Sequence, residues 1–177
     1  MKSTTLTLLI ILSLFIFLGA VAWMSTIRHH LVFPEKQVNA LYSLEMAGSK
    51  DRVAYVITTW EQAGKKEVAW KLNMIDFLLI AGYSFFYFFS IRKLATVFPN
   101  RFGRWVRPLS VLAVLPGTLD VIEGIASNVW LSGSIDSYSP QIIFVFAFIK
   151  FLIAIPMAIF ILGGFGILAF TGKRNHG

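Results

Sequence analysis

The chain is expected to fold as an all-α membrane protein: a four-transmembrane-helix bundle with a short amphipathic helical cap between spans one and two. Three observations carry this expectation. Of its 177 residues 56% are hydrophobic and only 14% charged, against about a quarter charged in an average soluble domain. Mean hydropathy is +0.71. The apolar residues gather in four long stretches, each near the roughly 20 residues that a helix rising about 1.5 Å per residue needs to cross a hydrocarbon core about 30 Å thick.

Composition also removes several function classes. There is no cysteine, so disulfides, thiolate metal sites, cysteine nucleophiles and thioether-linked haem all fall away. The net charge is +7 and the isoelectric point ≈ 9.9. In a soluble chain such a balance would suggest nucleic acid, but the sequence offers no basic groove with stacking aromatics, and no nucleic-acid partner is expected. Arg92, Lys93, Arg101, Arg104 and Arg107 instead form a basic run between two apolar stretches, where cytoplasmic loops concentrate positive charge. The lipid bilayer and its anionic head groups are the expected partners.

The spans are expected at Thr5 to Ile27, Leu72 to Val97, Leu109 to Leu131 and Gln141 to Thr171, within one membrane domain of residues 1–177. In the first, Lys2, the apolar stretch and Ala20-Val21-Ala22 also fit a cleavable signal peptide. The stretch is long for that role, and its removal would leave three spans. Residues 34–64 then read as two short amphipathic helices that cap the bundle on its outer side. Pro34 and Glu35 suit a helix start and Gly48 its end, whereas Ser49 can cap the next helix, Asp51 sits in its first turn and Gly64 can stop it. Val53, Val56, Ile57 and Trp60 recur as one apolar face. On the first cap helix Val38, Leu41, Tyr42 and Glu45 share a face, so Glu45 either turns toward the protein or snorkels to water.

The second span carries Phe85-Phe86-Tyr87-Phe88-Phe89, a run that surrounds the helix and must largely meet lipid or neighbouring helices. In the third span Pro116 should disturb the backbone ladder below Asp120. Gly117 and Gly124 allow close helix approach or leave room for a ligand. Trp23, Trp105 and Trp130 stand near span ends and suit interfacial anchoring. The loop from Ser132 to Pro140 has one acid, Asp136, and no Lys or Arg, while Lys2, Lys173 and Arg174 match the basic second loop. Both termini are therefore expected in the cytoplasm.

Ionisable residues inside the spans are the candidate functional groups: Asp76, Asp120, Glu123 and Lys150. Each costs roughly 2.5–3.5 kcal/mol at a span centre on insertion scales, so each should face the bundle interior or a wet cavity. Helical spacing puts Gly117, Asp120, Glu123, Gly124, Ser127 and Asn128 on one side of the third span, and Asn73, Asp76, Tyr83, Tyr87 and Ser90 on one side of the second. Lys150 can lie level with Asp120 or Glu123. Three acids against one base leave an excess of negative charge, to be met by a retained proton, a bound cation, water, or Arg28, His29 and His30 folding over the outer mouth. Asp120 and Glu123 with a histidine could ligate a metal, but no complete ligand set is legible, and neither a metal nor a cofactor is expected. Two carboxylates without an oxyanion or cation stabiliser do not favour an enzyme.

The segments Leu44-Glu45-Met46-Ala47-Gly48-Ser49, Thr59-Trp60, Leu72-Asn73-Met74-Ile75-Asp76-Phe77 with Tyr83, and Leu119-Asp120-Val121-Ile122-Glu123 resemble those of uncharacterised bacterial four-span membrane proteins. There Asp-x-x-Glu is often followed directly by Asn; here Gly124 holds that place and Asn128 comes a turn later. The resemblance implies the fold, an inner-membrane location and the importance of Asp76, Asp120 and Glu123, and it supplies no activity.

The functional expectation is a polar cavity in the outer half of the membrane, formed by Glu45, Asp76, Tyr83, Asp120, Glu123, Asn128 and Lys150 beneath the cap, holding a lipid-like or small amphipathic ligand. Two alternatives use the same residues. One is a structural or accessory subunit whose charges only order the bundle, with a membrane-protein partner or a second copy of itself. The other is a small proton-coupled carrier.

Overall fold

A computed structural model of the protein describes residues 3–98 and 101–172. Four stretches are helical, long and apolar enough to cross a membrane: Ser3–Leu31, Lys66–Val97, Gly103–Leu131 and Pro140–Ala169. They are built from α1 (Ser3–Ile27), α4 (Lys66–Val97), α5 with α6 (Arg101–Leu112 and Leu115–Leu131) and α7 (Pro140–Gly172). The helix ends near residues 27, 66, 131 and 140 share one end of the bundle with the cap. The opposite end carries the α4–α5 junction. Of the residues used to orient the chain, Lys2, Lys173 and Arg174 lie outside the described residues.

The third span breaks where its proline predicts. Pro116 stands in the first turn of α6 and has no N–H to give Leu112, so α5 stops there and Ala113 and Val114 close the turn onto Leu109 and Val111. Together the two helices make this span longer than expected, from Gly103.

Half of the cap differs from the expected pair of helices. After a 3₁₀ turn at Arg28–Leu31, β1 (Val32–Phe33) pairs antiparallel with β2 (Val38–Asn39), and a helix of one turn, α2 (Tyr42–Glu45), follows. Gln37 and Ala40 adopt left-handed backbone, φ 53° and 55°, which a continuous helix from Pro34 to Gly48 forbids. The turn lets Leu31, Val38, Leu41 and Leu44 all enter the core, whereas Tyr42, expected on the same face, is exposed. Burial of four aliphatic side chains, each worth about 1.5–3 kcal/mol, outweighs the local helix signals.

The second cap helix, α3 (Lys50–Gln62), forms as expected. Ser49 Oγ accepts the Arg52 N–H at 3.2 Å, and Gly64 takes φ 66° just beyond the end. Val53, Val56, Ile57 and Trp60 are buried in a cluster they share with Leu72, Ala126, Trp130, Leu131 and Ile143 of the spans. The cap is therefore continuous with the bundle core. Trp130, expected at an interface, is fully buried because α3 covers the end of α6, while Trp23 and Trp105 are exposed as anchors would be.

Small residues set how closely the spans approach. Leu6, Ser13 and Ala20 are the buried residues of α1, seven apart, and they face α4, the main partner of α1. A Cβ on Gly82 would lie 2.6 Å from the Phe17 backbone nitrogen, so this crossing accepts only glycine. A Cβ on Gly117 would run into Ser84 Oγ, and one on Gly124 would lie 3.0 Å from the Phe77 ring, in keeping with the close approach expected of both glycines. α7 packs on α6 and α4, whereas α1 and α7 flank α4 and barely touch each other. A cleft remains between them.

Candidate functional site

Asp120 and Glu123 are one helical turn apart on α6, so both carboxylates project toward α7. Lys150 meets them ten residues into α7, about 15 Å along the helix by the rise per residue. Its ammonium donates to Asp120 Oδ1 at 2.6 Å and Glu123 Oε2 at 2.7 Å. A third hydrogen bond, 3.3 Å long, runs to Glu45 Oε2 from α2. Glu45 thus points into the protein, and the left-handed turns that deliver α2 to this position are what put it there. Burial pushes the Glu45 carboxyl above its ordinary value, with Lys150 pulling the other way.

The cluster is dry. Side-chain exposure is 7% at Lys150, 1% at Glu123 and 11% at Asp120. Tyr83 on α4 donates its hydroxyl to Asp120 Oδ2 at 2.8 Å, and Asn73, a turn before Asp76, donates to the Gly124 carbonyl at 2.8 Å. The polar sides of α4 and α6 do face each other. One oxygen each of Glu45, Asp120 and Glu123 lie within 4.8 Å of one another, a spacing that would suit a cation. The Lys150 ammonium already occupies that place.

Asp76 faces the same group from α4, close enough to feel Asp120, Glu45 and Lys150 electrostatically. Its side chain makes no hydrogen bond or ion pair among the described residues, and it lines a cavity of ≈ 430 Å³. One end of this cavity is polar, with Glu45, Asp76, Tyr83, Asp120 and Lys150; the rest is apolar, running past Phe17, Leu79, Phe86 and Ala154 to Ile161 and Leu162. It occupies the cleft between α1, α4 and α7.

Other expected members stand apart. Asn128 does not line this cavity, and its Oδ1 is buried without a partner; with Gly124 in the place next to Glu123, Asn128 sits a further turn toward the cap. Arg28, His29 and His30 are exposed in the 3₁₀ turn that follows α1 and form no ion pair with these carboxylates among the described residues. Conversely, the apolar limb of the cavity was missed. Lys150, Ala154 and Ala158 recur every four residues, a small-residue face legible in the sequence, but nothing local marks Phe17 as its opposite wall.

At the end away from the cap, Arg92, Arg104 and Arg107 line a second cavity of ≈ 750 Å³ with Leu6 and Thr96. Comparison of the chain with family models, curated proteins and solved structures gave no match.

Proposed function

We propose that this multi-pass protein resides in the bacterial cytoplasmic membrane and holds a small amphipathic, lipid-like ligand in the cleft between α1, α4 and α7. The observation that carries the proposal is the lining of the ≈ 430 Å³ cavity, polar at the Asp76 end and apolar toward Leu162. Its volume suits a small molecule, for which pockets of about 300–1,000 Å³ are usual. The loose contact between α1 and α7 gives such a molecule a lateral way in from lipid. Gathering of Arg92, Arg104 and Arg107 at the end opposite the cap supports a cytoplasmic placement of that end and of both termini. The packing of α1 along α4 supports a first span that is kept.

A second reading, an accessory subunit whose charges only order the bundle, draws on one observation: Lys150 and its three carboxylates satisfy much of one another's demand. Native mass spectrometry of protein extracted gently from its own membrane separates the two. Wild type should carry a small molecule that Ala158→Trp, which fills the apolar limb, has lost. If both are empty and both retain a second protein chain, the accessory subunit is the correct reading.

A further inference from the structure

The donor and acceptor inventory of the cleft bears on the charge of what it can hold. An ammonium has three N–H donors and no acceptor, and Lys150 directs them at Asp120, Glu123 and Glu45. The Tyr83 hydroxyl is given to Asp120 and that of Tyr87 to the Ala154 carbonyl. Among the described polar side chains at this site, every N–H or O–H donor is thus engaged within the protein.

What remains are acceptors. Asp76 opens onto the cavity, and neither of its oxygens meets a donor among the described residues. Glu123 Oε1, in the same cluster and on a residue 1% exposed, is buried with no partner. Four carboxyl groups, those of Glu45, Asp76, Asp120 and Glu123, surround one ammonium in a largely buried site, so balancing it takes further positive charge, brought by retained protons or by the cation of a ligand. An anionic head group would find the Lys150, Tyr83 and Tyr87 donors already engaged and would face Asp76 directly. A neutral hydroxyl would satisfy one acceptor and none of the charge. Aromatic faces also line the cavity at Phe86, Tyr87 and Phe151, and Lys150 Nζ already lies 5.0 Å from the Phe151 ring centre, the arrangement in which cations are held by ring quadrupoles.

Resting on the ligand-binding function proposed above, we propose that the ligand is a cationic amphiphile: an amine-bearing molecule whose protonated nitrogen docks on Asp76 and whose single alkyl chain runs along Ala154, Ala158 and Leu162. The cavity volume favours one chain over the two of a phospholipid.

The test compares dodecylamine, dodecanol and dodecyl phosphate at equal concentration, by equilibrium binding to the full chain in a nonionic detergent. Wild type should bind the amine at least about tenfold more tightly than the alcohol, a difference well within reach of one charge pair, and should not retain the phosphate. Asp76→Asn should bring the amine down to the level of the alcohol. The head-group comparison on wild type decides the matter even if the variant does not fold. Equal binding of amine and alcohol, or preference for the phosphate, overturns the cationic ligand while leaving an amphiphile-binding cavity in place. Failure of all three to bind overturns the cavity proposal and this inference with it.

Discussion

Among single residues, Lys150 and Asp76 have opposite parts in the same cluster. Lys150 is the one positive charge that the described residues place among the largely buried carboxylates of Glu45, Asp120 and Glu123, so its removal leaves like charges facing one another in a medium that solvates them poorly. Breaking a buried ion pair from one side costs about 3–5 kcal/mol. Lys150→Met should lower stability by about that much, read from thermal or denaturant unfolding in detergent. Asp76 has no partner to lose and stands among other acids; Asp76→Asn should leave stability unchanged or raise it. A large loss on Asp76→Asn would mean that the carboxylate holds the bundle together and is not kept free for a ligand.

At the level of helices, the fold depends on where backbones come closest. Gly82 faces the Phe17 backbone nitrogen, which cannot turn aside as a side chain could. Gly82→Val should therefore push α1 off α4, costing about 1–3 kcal/mol as overpacking does, whereas Gly133→Val, where a Cβ meets nothing within 4 Å, should cost only the strain of its positive φ. Circular dichroism melts of the two variants would distinguish packing from backbone effects. Spans, the α3 cap and the α6 break at Pro116 were legible in the sequence because length, one apolar face, a Ser cap and a proline are local signals. The hairpin at Val32–Asn39 was not, since its left-handed turns at Gln37 and Ala40 answer to core burial and use neither glycine nor Asn-Gly. The same limit hid the site in part. Periodicity could group Asp120 with Glu123 and Asp76 with Tyr83, and depth could set Lys150 level with the first pair, but whether Glu45 turned inward depended on that hairpin.

Across the whole molecule, the two ends differ in kind. The cap end has an apolar core shared by α3 and the spans, above a cluster rich in carboxylates. The far end has arginines around an open cavity. Between them α1 leans on α4 and leaves the cleft beside α7 unfilled. We propose that this cleft is a site for an amphiphile and not a gap that closes in the bilayer. A high-resolution structure of the protein reconstituted with lipids from its own membrane tests it most directly. Elongated density should run from Asp76 along Ala154 and Ala158 toward Leu162. A cleft shut by α1 packed against α7, with Asp76 paired to a protein donor, would contradict it.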